Sequence, residues 1–194
     1  MVTKPERNDY TVEEWLAHQE ATDRRYDYID GEIYAMSGGT LRHGKIAGRV
    51  VTALNNGLQG KGCTVYTSDV AVKISDTKYV YPDASALCGE PIPADEAGTM
   101  LANPTVVVEV VSKSSAYYDR GLKADYYLSV PSISAYLVID QNRPYAILHT
   151  KQNNQWVLTS FQGIDAVVPI DSLDTMLALK DVYDGIVFED DGVN

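Results

Sequence analysis

Two acidic residues of this chain stand in apolar surroundings where a carboxylate is costly. Glu109 interrupts a run of five valines in NPTVVVEVVSKSS, residues 103–115, and such a β-branched run predicts a strand buried on both faces. Asp83 directly follows Pro82, which cannot donate to a sheet ladder and therefore marks a bulge or a strand edge. Because a buried carboxylate needs a partner or binds a ligand itself, both residues are candidates for chemistry.

A metal site would explain why the two carboxylates are tolerated. If the strands that carry Asp83 and Glu109 are neighbours, their side chains converge, and two converging carboxylates repel unless one is protonated or a cation lies between them. A hard cation with oxygen ligands, Mg²⁺ or Mn²⁺, suits such a pair. The alternative for Glu109 is a buried ion pair with a lysine or an arginine.

Other polar residues could support this chemistry. Lys123 follows Asp119 by four residues, which predicts either a surface ion pair on a helix or a lysine that stabilises charge developing on a phosphate. Glu32 is a further metal ligand or an exposed hairpin residue. Asp69 either supports the site or caps a turn, and His43 either supports the site, touches a phosphate or stabilises the start of its own helix.

The net charge of −11 limits the partners of the chain. A protein that binds nucleic acid through general electrostatics needs a basic surface. One stripe at helical spacing, formed by Arg42, Lys45 and Arg49, is basic, and it predicts either a weak, salt-sensitive DNA contact or a solvated helix face. A homodimer would double this surface and could cut both strands of a duplex.

Cysteine and histidine usage narrows the chemistry further. Cys63 and Cys88 are the only cysteines and form no CxxC motif, so we expect reduced thiols in a cytoplasmic protein. The three histidines are scattered, which argues against a zinc site. The N-terminal segment has no apolar run of the kind that a signal peptide contains, so no secretory signal is expected. The sequence contains no apolar stretch of 18 residues, so no membrane span is expected either.

The pattern of residues predicts one mixed α/β domain over residues 1–194, with its core from about residue 10 to 180 and a frayed tail at 188–194. Thr11 and Glu14 form a capping box before a helix that buries Trp15 and Leu16. Asp30 and Gly31 join two strands of a hairpin. A long helix with an apolar stripe is predicted in LRHGKIAGRVVTALNNGLQG, residues 41–60, with its end near Gly57 or Gly60, and its Gly44 and Gly48 suggest the close approach of another backbone.

The second half of the chain predicts strands in CTVYTSDVAVKI, KYVYPDASAL, PTVVVEVV and SAYLVID, with a surface loop at residues 88–104 and a terminal hairpin in YAILHTKQNNQWVLTS. A helix over residues 117–130 separates the valine strand from SAYLVID. A strand, a helix and a strand form a crossover unit, so these two strands are expected to be parallel neighbours. Alternation along the valine strand places Glu109 on the face of Val107 and Val111.

Several segments together resemble the Uma-two family of restriction-endonuclease-like proteins, within the PD-(D/E)xK nuclease superfamily. The segments that carry the resemblance lie between about Tyr26 and Asp140, in the order of the family: YDYIDGEIYAMS, RHGKI, YTSDVAVKI, YPDASAL, PTVVVEVVSKSS, DRGLKADYY and SAYLVID. The resemblance implies a restriction-endonuclease-like fold, in which a mixed sheet is flanked by helices and carries a metal site at its strands.

The resemblance also implies roles for particular residues. Asp83 matches the aspartate of the PD motif, Glu109 matches the acidic residue of (D/E)xK, and the backbone carbonyl of Val110 would complete the metal coordination. Glu32 matches an acidic position that adds to the metal ligands. The lysine position of the motif, however, holds Val111, so Lys123 would have to supply the cation from the next helix. Ser112, which follows Val111, is a candidate for a supporting role at the site, as are Asp69 and His43.

These observations favour a Mg²⁺- or Mn²⁺-dependent DNA endonuclease with Asp83, Glu109 and Lys123 as catalytic residues. Val111 in the lysine position also favours a second hypothesis, a non-catalytic nucleic-acid or protein interaction module on a nuclease fold. A hydrolase of another phosphate ester that uses the same site is a third.

Overall fold

The structure is a computed structural model of the chain and describes residues 9–36, 39–112 and 121–188. Within these ranges the helices are α1 Val12–Thr22, α2 Leu41–Leu58, α3 Leu122–Ser129 and α4 Leu179–Val182, with a 3₁₀ helix at Asp171–Leu173. The strands are β1 Tyr26–Ile29, β2 Glu32–Ala35, β3 Cys63–Thr67, β4 Ala71–Ser75, β5 Lys78–Val80, β6 Ala84–Cys88, β7 Met100–Leu101, β8 Val106–Val111, β9 Ala135–Asp140, β10 Tyr145–Gln152, β11 Gln155–Gln162, β12 Val167–Ile170 and β13 Thr175–Ala178.

The N-terminal helix and hairpin form as the sequence predicts. Thr11 caps α1 by accepting from the Glu14 amide at 3.2 Å, and the Glu14 carboxylate accepts from the Thr11 amide at 3.0 Å. Trp15 is fully buried beneath β1. The β1–β2 turn holds Asp30 and Gly31 at φ of +50° and +88°, the left-handed conformation that a two-residue hairpin turn requires.

Helix α2 covers one face of the larger sheet with its apolar stripe. Its buried residues are Ile46, Val50, Leu54 and Leu58. The expected backbone approach at Gly44 and Gly48 is wrong, because a Cβ added at either position would meet no atom within 4 Å. Close packing occurs instead at Gly57, where a Cβ would collide with Thr175 Oγ1 of β13.

The predicted mixed sheet flanked by helices is confirmed, but the strands divide among several sheets. The larger sheet has the order β11-β10-β9-β8-β6-β3, the smaller one has the order β2-β1-β5-β4-β7, and β12 pairs with β13 alone. The sequence does not reveal this division because strand periodicity identifies the faces of a strand and not its neighbours.

Two segments that the sequence predicts as continuous strands pass from one sheet to the other. CTVYTSDVAVKI breaks into β3 of the larger sheet and β4 of the smaller one, and KYVYPDASAL breaks at Pro82 into β5 and β6. Proline cannot continue the ladder of a central strand, so the break falls where the sequence marks an edge. The predicted loop at 88–104 also contains a short strand, β7, which pairs in parallel with β4.

Strand β8 is the centre of the larger sheet and is buried along its whole length. It pairs in parallel with β9, and α3 lies between the two strands in sequence, as the crossover unit predicts. Val106, Val108 and Val110 pack in the cluster that contains α2. Val107 and Val111 pack on the opposite face with Ala124 and Tyr127 of α3. Asp119 and the first residues of the predicted helix lie outside the described residues.

The expectation of reduced thiols is wrong. Cys63 at the start of β3 and Cys88 at the end of β6 are directly paired in the ladder and form a disulfide. The two residues lie 25 positions apart in the sequence, and only the strand register brings them together. In the described ranges, no helix has the length and apolar character needed to cross a membrane.

The C-terminal part of the chain packs against the apolar cluster that contains α2. The predicted hairpin forms as β10 and β11, with Asn153 and Asn154 in the left-handed turn conformation. Strands β12 and β13 and helix α4 add Val168, Leu177 and Leu179 to the cluster below α2. Phe188 packs edge-on against Tyr183 at 5.4 Å, and the rest of the predicted frayed tail lies outside the described residues.

The glycines of α2 provide a matched test of this packing. Gly48→Ala meets open space and should stabilise the protein by up to about 1 kcal/mol through helix propensity. Gly57→Ala has the same advantage in helix propensity, but its added Cβ collides with Thr175. The free energy of unfolding should therefore fall by roughly 1–3 kcal/mol. Urea denaturation measures both changes, and equal stabilisation by the two variants would contradict the packing of α2 against β13.

Candidate active site

Glu109 is held by two donors from α3. Its side chain is buried, and the residue is only 5% exposed. The Lys123 ammonium lies 2.9 Å from Glu109 Oε1, and the Tyr127 hydroxyl donates to the same oxygen at 2.8 Å. Lys123 and Tyr127 are one helical turn apart and therefore share a face of α3. A carboxylate among valines is tolerated here because the crossover helix provides its partners.

Tyr127 is a fixed hydrogen-bond donor to this carboxylate. Burial raises the pKa of Tyr127 well above its ordinary value, and the negative charge of Glu109 raises it further. The phenol therefore stays protonated at neutral pH and can only donate to Glu109. Its ring also packs against Tyr136 of β9 at 5.0 Å, which fixes its orientation.

Lys123 is buried rather than on a solvated helix surface. The residue is 7% exposed, and its ammonium group lies between Glu109 of the larger sheet and Asp27 of the smaller sheet, with Asp27 Oδ2 at 3.6 Å. Val111 points to the same face as Glu109, so a lysine at that position would approach from the strand itself. In this chain the ammonium group reaches Glu109 from α3 instead.

Asp27 is a site residue that the sequence reasoning missed. It is 7% exposed, and its Oδ1 accepts from the Tyr81 amide at 2.8 Å, which ties β1 to the segment that leads into Asp83. The hairpin pattern places Asp27 on the outer face of an alternating strand, yet both faces of β1 are buried. The signal was the one that identifies Glu109: an acid between large apolar residues, here Tyr26 and Tyr28.

Asp83 lies at the end of the ladder between β6 and β8. The register pairs Ala84 with Val108, so Asp83 directly precedes β6, at the level of Glu109 on β8. Asp83 Oδ2 accepts from the Val110 amide at 2.7 Å, and Asp83 Oδ1 lies 2.9 Å from His43 Nε2 of α2. The β6–β8 ladder ends at the pair Ala84–Val108, so the Val110 amide finds its acceptor in the Asp83 side chain and not in a paired strand.

His43 makes contacts that match two of the three roles considered for it, at the start of its own helix and beside Asp83. Its backbone amide donates to Thr40 Oγ1 at 3.1 Å at the start of α2, and its ring orients Asp83. A ring nitrogen at this distance from a carboxylate either donates a hydrogen bond as the neutral tautomer or forms an ion pair when protonated.

The oxygen ligands of this site suit a hard cation that keeps several of its waters. They do not suit a cation that is held by protein side chains alone. Within the described ranges, no three His, Cys, Asp or Glu side chains converge in a way that could hold a metal ion. Mg²⁺, however, is commonly bound by one or two carboxylates and keeps several waters. Among the described residues, the buried hydroxyl of Ser85 has no hydrogen-bond partner, and, opposite Val107, it shares the face of Glu109. Carboxylate and hydroxyl oxygens are ligands that a partly hydrated Mg²⁺ accepts, so the residues fit such an ion.

Glu32 lies on the same face of the smaller sheet as Asp27. The pairs Asp27–Tyr34 and Ile29–Glu32 place all four side chains on one face of the hairpin. The Tyr34 hydroxyl donates to the Glu32 carboxylate, and burial together with this bond raises the pKa of Tyr34 to about 12. The structure thus places Glu32 near the site but in contact with a phenol.

Two further sequence candidates differ in their placement. Asp69 lies in the exposed turn after β3, where it accepts from Thr67 at 2.8 Å and pairs with Arg25. These contacts match the turn-capping interpretation of Asp69 and not a supporting role at the carboxylates. Ser112 directly follows β8 and is partly exposed.

The basic stripe of α2 is in contact with the C-terminal segment. Arg42 donates to the Val187 carbonyl at 3.3 Å, Lys45 donates to the Gly185 carbonyl at 2.6 Å, and Arg49 pairs with the Asp184 carboxylate. The stripe is therefore partly covered by residues 184–187 and is not simply a solvated face. A DNA contact through these three residues stays a prediction, since a phosphate would have to share or replace these partners.

The fold is a mixed α/β fold with helices on its sheets, and comparison with known proteins identifies its family. Residues 12–180 match the family model Uma2, described as "Putative restriction endonuclease". The chain therefore belongs to the Uma2 family, as the resemblance in its sequence indicates. It is also 32% identical over 179 residues to the uncharacterized protein slr1290 of Synechocystis, covering 91% of this chain and 92% of the relative.

Further relatives agree with this assignment. The uncharacterized protein sll1609 of Synechocystis is 28% identical over 161 residues, or 81% of this chain and 90% of that protein. A crystal structure from Anabaena variabilis, described as a "putative nuclease belonging to DUF820", superposes with a TM-score of 0.73. It covers 90% of this chain and 97% of the Anabaena chain at 20% identity, so this likeness shows the fold.

Removal of Lys123 tests the buried charge cluster. Lys123→Met leaves Glu109 and Asp27 without their cation, and the loss of one partner from a buried ion pair costs roughly 3–5 kcal/mol. Lys73→Met is the matched control, because Lys73 pairs with the exposed Asp76 and its loss should cost about 1 kcal/mol or less. Urea denaturation gives both values, and a similar small loss for both lysines would contradict the buried cluster.

Proposed function

We propose that this protein is a metal-dependent nuclease that hydrolyses phosphodiester bonds of DNA at the site of Asp83, Glu109 and Lys123. The observation that carries the proposal is the position of Lys123. Its ammonium group is 2.9 Å from Glu109, although the strand position of the motif lysine holds Val111. The adjacent register of Asp83 and Glu109 provides the two carboxylates that the same chemistry needs.

The family supports a nucleic-acid substrate. The Uma2 model is described as "Putative restriction endonuclease", and the Anabaena structure that shares the fold is described as "a putative nuclease". The high negative charge of the chain is compatible with this substrate only if a cation reverses the field of the carboxylates locally. For this reason the proposal includes a divalent ion.

The charges of the site favour such an ion. Asp27, Asp83 and Glu109 carry three negative charges, and Lys123 carries one positive charge, so the cluster stays negative even when His43 is protonated. Asp83, Glu109 and the Val110 carbonyl would hold Mg²⁺ or Mn²⁺. When bound, the ion would activate a water and neutralise charge on the scissile phosphate.

Other residues of the chain would stabilise the developing charge and position the groups that react. Lys123 stabilises negative charge that develops on the phosphate, and Asp27 and Tyr127 keep its neighbourhood in place through the contacts to Lys123 and Glu109. His43 orients Asp83 through their 2.9 Å contact. Preorganised donors of this kind act strongly in a site from which water is largely excluded.

Plasmid cleavage tests the proposal directly. Supercoiled plasmid incubated with the protein and Mg²⁺ or Mn²⁺ should be nicked, and a homodimer should also produce linear plasmid. Asp83→Ala and Glu109→Ala should each lower the rate by at least about a hundredfold, because each removes a metal ligand from the reacting centre.

Two controls make this experiment decisive. Asp76→Asn changes an exposed carboxylate in the β4–β5 turn and should cleave like the wild type, and chelation by EDTA should stop the wild-type reaction. Equal nicking by the wild type and both alanine variants would show that the activity comes from a contaminant or another site, and the proposal would then fail.

A non-catalytic interaction module is the second candidate, and one observation favours it. Glu109 Oε1 already accepts from Lys123 and Tyr127, so the Glu109 carboxylate is satisfied without an ion. Titration calorimetry with Mn²⁺ separates the two candidates. Binding heat that is lost in Glu109→Ala, without cleavage of plasmid, supports the module, whereas binding together with cleavage supports the nuclease.

A further inference from the structure

The basic stripe of α2 is covered by the residues that follow α4. Arg42, Lys45 and Arg49 stand at positions i, i+3 and i+7 and therefore share one face of the helix. Each of them contacts one residue of the segment 184–188, which we call the C-terminal segment. In the order of the stripe, the acceptors are the Val187 carbonyl, the Gly185 carbonyl and the Asp184 carboxylate. The C-terminal segment therefore runs along the stripe in the direction opposite to α2.

Apolar side chains hold the C-terminal segment in this position. Ile186 and Phe188 are partly buried and pack against the apolar cluster that contains α2, and the Ile186 amide donates to the Tyr183 carbonyl at 2.9 Å. Gly185 has a φ of +66°, and a Cβ at this position would lie 2.7 Å from the Lys45 ammonium nitrogen. A glycine at position 185 therefore permits the close contact with Lys45.

The C-terminal segment compensates the charge of the stripe only in part. Each of the three stripe residues carries a positive charge, and in the part of the chain that the structure describes, Asp184 is the only carboxylate that pairs with them. Both side chains of this ion pair are partly exposed, so water screens their attraction. A phosphate would offer a full negative charge, and its oxygens can accept two hydrogen bonds from one guanidinium group. Phosphate groups therefore match the charge of the stripe more closely than the C-terminal segment does.

The stripe begins beside the candidate active site. His43 directly follows Arg42, and its ring nitrogen lies 2.9 Å from the Asp83 carboxylate. From Arg42 to Arg49 the stripe spans about 10 Å of the helix axis, and one strand of a DNA duplex carries about three phosphates over this length. A duplex whose backbone follows the stripe would therefore extend toward Asp83.

We propose that the α2 stripe is a binding surface for the phosphates of a DNA duplex and that the C-terminal segment masks it in the free protein. The duplex and the segment compete for the same three cations. The segment therefore lowers the affinity for DNA and has to leave the stripe when DNA binds. DNA as the ligand rests on the proposed nuclease function, but the competition itself depends on neither metal binding nor cleavage.

Two variants that release the stripe test this competition. Asp184→Asn removes the charge that pairs with Arg49, and Gly185→Ala pushes the Lys45 ammonium group away from the segment without changing any charge. Each variant should bind a short DNA duplex about two- to fivefold more tightly than the wild type, which corresponds to the loss of one exposed ion pair. Fluorescence anisotropy of a labelled duplex measures the affinity, with Ca²⁺ in place of Mg²⁺ and the duplex checked for cleavage afterwards.

Asp76→Asn is the matched control, because it removes the same charge from an exposed ion pair in the β4–β5 turn and should bind the duplex like the wild type. The double variant Arg49→Gln/Asp184→Asn is a second control. If Asp184 acts by covering Arg49, its replacement brings no gain once Arg49 is absent. The slope of log affinity against log salt should also become steeper by about one in Asp184→Asn, because one more cation is available to the phosphates.

The outcomes separate failure of the masked surface from failure of the nuclease. Wild-type affinity in both release variants overturns the masking, and so does a gain in Asp184→Asn that persists when Arg49 is replaced. If neither the wild type nor the release variants bind the duplex, the surface is overturned, and plasmid cleavage by the same proteins would leave the nuclease standing. Tighter duplex binding by the release variants without any plasmid cleavage supports the surface and counts against the nuclease.

Discussion

The burial of one carboxylate organises the centre of this protein. Glu109 lies on the central strand of the larger sheet, where no solvent can stabilise its charge, so hydrogen-bond donors must come from elements packed on that face. Helix α3 provides two of them, Lys123 and Tyr127, one turn apart. The ammonium group in turn attracts Asp27 of the smaller sheet. One electrostatic requirement thereby determines how a strand, a crossover helix and a second sheet lie against each other.

The ammonium group that contacts Glu109 comes from a helix and not from the strand itself, and this origin has a structural consequence. A lysine two residues after Glu109 would depend on β8 alone for its position. Lys123 depends on the packing of α3, in which Tyr127 contacts the same carboxylate oxygen and packs against Tyr136. The position of the ammonium group is therefore linked to the aromatic core beneath the helix, and Val111 is free to fill that core.

Local signals in the sequence predict much of the fold, and long-range pairing explains what they miss. The capping box at Thr11, the Asp30–Gly31 turn and the parallel pair β8–β9 depend on neighbouring residues or on one crossover, so the pattern predicts them. The cross-strand disulfide depends on a register between distant segments, and Asp27 is buried only because α1 and α3 cover both faces of β1. Glu109 and Asp83 could be singled out as candidates because an acid among valines needs a partner and an acid after a proline lies at a strand edge, and their role in catalysis stays a prediction.

The passage of the chain between the two sheets has a consequence for cooperativity. Val80 ends a strand of the smaller sheet and Ala84 begins a strand of the larger one, and the same transfer occurs between Thr67 and Ala71. Neither sheet is a contiguous piece of the polypeptide, so no cut in the chain yields one sheet without strands of the other. We therefore expect the two sheets to gain and lose their order as one thermodynamic unit, although each has its own apolar cluster.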